Sequence, residues 1–61
     1  MSWEMYEVVA VFDDGYEEVV DTTTSIKHAR ELAKSSLEDG AVEVIINHEV
    51  DDTVEEVERI T

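Results

Sequence analysis

Residues 4–12 (EMYEVVAVF) form a mostly apolar run, rich in β-branched and aromatic residues, that stops at Asp13-Asp14-Gly15. Such a run closed by a glycine-bearing turn predicts a strand entering a hairpin, with glycine supplying the positive φ. With those three residues as the loop, Phe12 faces Tyr16, Ala10 faces Glu18, Val8 faces Val20 and Tyr6 faces Thr22, while Val9 meets Val19 on the other face. The second strand is then residues 16–22; a two-residue turn at Asp14-Gly15 would slide every pair by one.

The period changes at Thr22-Thr23-Thr24-Ser25, a hydroxyl run suited to capping, with Ser25 or Thr24 at the N-cap. Ile26, Ala29, Leu32, Ala33 and Leu37 then recur at helical spacing, which predicts a helix over residues 25–37 that Gly40 terminates. Residues 41–50 (AVEVIINHEV) alternate by parity, a third strand with Val42, Val44, Ile46, His48 and Val50 on one side. Residues 51–60 carry two patterns. Val54, Val57 and Ile60 are spaced as in a helix and Thr53 with Glu56 makes a capping box. Shortness, valine content and the Asp51-Asp52 turn favour instead a fourth, edge strand, and the strand is expected to prevail.

Chain connectivity then selects a topology. A right-handed strand-helix-strand crossover carries the third strand past the first, so that it pairs antiparallel with it. The expected fold is α+β, ββαββ, one domain over residues 1–61: a four-stranded antiparallel sheet in the order 2-1-3-4 with one helix on one face. The most apolar strand is central, and the acidic strands with Glu17, Glu18, Asp21, Glu55, Glu56 and Glu58 lie at the edges, where charge discourages aggregation. Beneath the helix are expected Tyr6, Val8, Ala10, Phe12, Val20, Val42, Val44 and Ile46. The opposite face presents Trp3, Met5, Val9, Val11, Val19 and Ile45 within a ring of Glu7, Glu17, Glu43 and Asn47, and a second copy of the chain is the expected partner there.

Size and charge sharpen the expectation of a dimer. A chain of 61 residues buries only about 60% of its unfolded surface, so its core alone is a marginal stabiliser. With no cysteine, disulfides and thiolate zinc sites are closed to it, which leaves self-association. Its 17 acidic against 4 basic residues give a formal net charge of -13, yet 43% of the chain is apolar and patterned, so it is expected to fold. Low lysine with abundant Asp, Glu, Val and Thr resembles the composition of haloarchaeal proteins, a likeness of habitat that selects no family. At molar salt the screening length falls to about 3 Å and self-repulsion fades. The other use of such a surface is imitation of the phosphate array of a nucleic acid, to occupy a nucleic-acid-binding protein; direct binding of nucleic acid is disfavoured by sign. No N-terminal signal pattern or membrane-length apolar run is present, and the expected location is the cytoplasm.

Catalytic and cofactor chemistry find no foothold. Asp13-Asp14-Gly15 lacks the spacing of a calcium loop, and two histidines without a nearby nucleophile give no acid/base mechanism. Neither metal nor cofactor is expected, no polar residue is expected between helix and sheet, and the chain is read as a non-enzyme. One local rule is broken: Lys27, Arg30 and Lys34, three of the 4 basic residues, form a stripe on the helix that begins near its N-terminus, where the helix dipole prefers anions. Either the stripe pairs with neighbouring carboxylates, or the free N–H groups of the first turn, the hydroxyls of Thr23, Thr24 and Ser25, and Lys27 with His28 together hold a phosphate or an acidic peptide.

Overall fold

The computed structural model describes residues 3–61. Four strands and one helix occur in the order β1 (Glu4–Val11), β2 (Glu17–Thr23), α1 (Ile26–Glu38), β3 (Glu43–Val50) and β4 (Thr53–Ile60). The strands form one antiparallel sheet in the order β2-β1-β3-β4, with α1 across one face. This is the α+β, ββαββ arrangement that the alternation implies, and residues 53–60 are a strand.

Local chemistry sets the boundaries. The β1–β2 loop is the three-residue turn: Phe12 N–H donates to the Tyr16 carbonyl at 2.8 Å, Gly15 N–H donates to the Phe12 carbonyl at 2.9 Å, and Gly15 has φ 88. Ser25 caps α1, its Oγ accepting from His28 N–H at 3.2 Å. At the other end Ala41 N–H donates to the Ser36 carbonyl at 3.0 Å and Gly40 N–H to the Leu37 carbonyl at 3.3 Å, with Gly40 at φ 116. These two bonds make a Schellman cap, which turns Ala41 inward to 7% exposure.

Each edge strand carries a bulge, and both bulges change the predicted pairing. From the β1–β2 loop the register runs Val11–Glu17, Ala10–Glu18 and Val9–Val19 as expected, then shifts, so that Val8 meets Asp21 and Tyr6 meets Thr23. The expected pairs Val8–Val20 and Tyr6–Thr22 do not form, because Val20 is the extra residue and is 40% exposed. In β4 the shift falls between Ile46–Glu58 and Asn47–Glu56, with Val57 extra.

The core between sheet and helix is Val8, Ala10, Ala29, Ala33, Ala41, Val44 and Ile46, with Tyr6, Phe12, Ile26, Leu32, Leu37 and Ile60 packed around it. Val20 and Val42, expected beneath the helix, are absent from this cluster. The bulge displaces Val20, and the Schellman turn buries Ala41 and leaves Val42 about half exposed. Ala29 and Ala33 are fully buried, so α1 approaches the sheet through its two smallest apolar residues. It lies over β2, β1 and β3, and reaches β4 chiefly through Arg30.

Candidate functional site

Among the described residues, one face of the sheet has no element upon it. Pairing arranges its side chains in rows, since residues on one face alternate along each strand and partners sit side by side. The central row is Val19, Val9, Ile45 and Arg59, read from β2 to β4. On one side of it lie Thr22, Glu7, Asn47 and Glu56; on the other lie Glu17, Val11 and Glu43. Beyond Glu7 the row is Met5, Glu49 and Val54.

Of the six apolar residues assigned to this face, Val9, Val19 and Ile45 are neighbours, and Val11 adjoins them between Glu17 and Glu43. Met5 is separated from Val9 by Glu7 along β1, and Trp3 lies beyond the end of the strand, about half exposed. Backbone bonds tie Trp3 to the β3–β4 turn: its N–H donates to Asp51 Oδ1, and its carbonyl accepts from Asp51 N–H, each at 3.1 Å. Val9 is 8% exposed although α1 lies on the other side, because its row neighbours close around it. Val19 remains 55% exposed.

Arg59 is the residue of this face that alternation alone missed, since the β4 bulge sets its parity. Its Nη1 donates to Glu43 at 2.6 Å and its Nη2 to Glu56 at 2.8 Å, tying β3 to β4 across the open surface. The guanidinium's hydrogen bonds, and secondarily its charge, hold the Glu56 carboxyl below its usual range, and Glu56 and Glu43 raise Arg59 further. Asn47 Nδ2 donates to Glu7 at 3.4 Å. The face therefore carries five carboxylates, Glu7, Glu17, Glu43, Glu49 and Glu56, against one guanidinium.

On the helix side a shallow cavity of about 150 Å³ opens between α1 and β4, lined by Tyr6, Ile26, Arg30, His48, Val57 and Glu58. The expectation that no polar residue lies between helix and sheet is thereby corrected. The bulge brings Glu58 opposite Ile46, on the helix side, where its carboxylate takes Arg30 at 3.2 Å. His48 stacks on Tyr6 with ring centroids 4.7 Å apart, and its Nε2 lies 3.2 Å from Glu4 Oε2. The space is below the roughly 300–1,000 Å³ of clefts that hold organic ligands.

At the start of α1 the hydroxyls serve the fold. Thr23 Oγ1 accepts from Ser25 N–H at 3.2 Å and lies 3.1 Å from His28 Nδ1, while Ser25 Oγ takes His28 N–H. Thr24, Lys27 and His28 are exposed. Within the basic stripe Arg30 alone forms an ion pair among the described residues; Lys27 and Lys34 form none. The described residues contain no cluster of acidic, histidine or cysteine side chains arranged to hold a metal, and no helix long and apolar enough to cross a membrane. Comparison with protein-family models, curated proteins and solved structures returns no match for this chain.

Proposed function

We propose that the chain is a non-catalytic, salt-adapted assembly module of the cytoplasm whose open sheet face is covered by a second copy of itself. The observation that carries this reading is the uncovered row Val19, Val9 and Ile45 on a sheet whose other side is already packed. A sheet with apolar residues on both faces reaches a stable layered arrangement when both faces are covered. The size of the face is compatible: four strands of seven or eight residues at about 4.8 Å spacing and about 3.3 Å rise outline roughly 500 Å² per partner, near the ~1,000 Å² total at which an interface becomes specific. A second copy brings the same shape and the same narrow apolar band.

Composition supports the salt-adapted part of the reading. Two chains of formal net charge -13 repel at low ionic strength, whereas molar salt shortens the range of that repulsion to about 3 Å and strengthens apolar burial. The absence of cysteine suits a reducing compartment. Ile45→Lys places a charge in the centre of the face without touching the helix-side core. In sedimentation at molar KCl the wild type is expected to run as a dimer and this variant as a folded monomer. A wild-type monomer would overturn the reading, and its capture of a basic nucleic-acid-binding protein would point to phosphate mimicry instead.

A further inference from the structure

The rows of the open face determine how two copies can meet, an arrangement that rests on that face being the dimer interface. We propose that the sheets pack about a two-fold axis parallel to the strands and midway between β1 and β3. Turning one sheet over about that line lays β1 on the partner's β3 and β2 on the partner's β4, with the rows level. Val9 then faces the partner's Ile45, Glu7 faces the partner's Asn47, and Val19 faces the partner's Arg59. Glu17 lies one row, about 7 Å, from that guanidinium. Symmetry makes each contact twice.

Charge rejects the neighbouring arrangements. An axis along β1 stacks Glu7 on the partner's Glu7, and an axis along β3 lays Glu7 on the partner's Glu56; like charges face to face at an interface are strongly unfavourable. An axis perpendicular to the strands through the central row sets Arg59 on the partner's Arg59. Displacing it by half a row towards Glu7 lays Glu43 on the partner's Glu49, again carboxylate on carboxylate, and the opposite displacement presses the Glu17 carboxylate onto the partner's Val19 with no donor. Midway between β1 and β3, no carboxylate faces another; Glu49 comes over the partner's Met5, but in the end row of the face, at the rim where a carboxylate keeps its water. Glu43 comes over the partner's Val11 but keeps the Arg59 of its own chain as donor. Glu7 meets an amide, and Asn47, which already gives one N–H to Glu7 of its own chain, has a second to offer the partner. The sheet twist adds a crossing angle of about -30°, which displaces the outer residues more than the central Val9 and Ile45.

An isotope-filtered NOE experiment on an equal mixture of ¹³C-labelled and unlabelled wild-type chains at molar KCl tests this arrangement. Contacts between copies are expected from Val9 methyls to Ile45 methyls. Contacts of Val9 with Val9, or of Ile45 with Ile45, in their place would overturn the axis while leaving the dimer standing; a monomer would remove the dimer itself. A mixing experiment gives an independent readout. Val9→Asp and Ile45→Lys chains, each monomeric alone, are expected to associate when combined, because one contact becomes an ion pair and its symmetry mate stays Val on Ile. Folded variants that remain monomeric in the mixture would count against the proposed axis.

Discussion

Gly40 and Ser25 show most directly how single residues set this fold. Gly40 sits at φ 116 with open space where a Cβ would be, so the cost of a side chain there is conformational and not steric. Gly40→Ala is expected to destabilise by about 1 kcal/mol, and Ser25→Ala, which leaves His28 N–H without its acceptor, by a similar ~1 kcal/mol. Chemical denaturation of the two variants measures both. Ala33 leaves no room for growth, being 0% exposed where the helix meets the sheet, and Ala33→Leu is expected to cost about 1–3 kcal/mol by overpacking. Arg59 gives the residue-scale pH dependence. Because Glu56 ionises at lower pH when folded, its pairing contributes fully above the unfolded carboxylate range and is lost as pH falls through the folded pKa. Carboxyl NMR titration should show Glu56 moving back up towards its ordinary range in Arg59→Gln; an unchanged titration would refute the pairing.

At the scale of elements, the strands and the helix were legible because their periods differ, and the bulges were not. Val54, Val57 and Ile60 are three apart and look helical. The structure resolves the ambiguity: Val57 is the bulged residue, so the stretch changes parity within a strand. The same event put Glu58 on the helix side and Arg59 on the open face, the two placements that simple alternation lacked. A sequence-level hint exists in each case, two adjacent valines at Val19-Val20 and an odd spacing of three between Val54 and Val57. Its position could not be fixed, since a bulge is settled by how an edge strand pairs with its neighbour. Deleting Val57 tests this. Without this extra residue Glu56 and Glu58 become neighbours and every pair from Val50–Thr53 to Val44–Ile60 is kept as a regular ladder, so cooperative thermal unfolding is expected to survive; its loss would show that the bulge itself is required.

For the molecule as a whole, two electrostatic terms compete as salt rises. Exposed ion pairs such as Arg30–Glu58 and those of Arg59 weaken, but each contributes only about 0–1 kcal/mol. Repulsion among 17 acidic residues opposed by 4 basic ones weakens too, and it involves many more pairs. Relief of repulsion therefore wins, and circular dichroism should show the melting temperature rising with KCl; a chain equally stable in dilute buffer would mark the acidity as serving something other than salt tolerance. The open face was legible as an apolar set with an acidic ring, while its reduction to one central row, with Met5 cut off by Glu7, became visible only with strand register. That narrowness makes the proposed interface depend on screening of its five carboxylates as well as on apolar area. The sharpest test of the dimer is light scattering on a dilution series of the wild-type protein in molar KCl. The expected result is a mass twice that of the chain which falls to one chain when the salt is removed, and a single-chain mass at every concentration in molar KCl would contradict it.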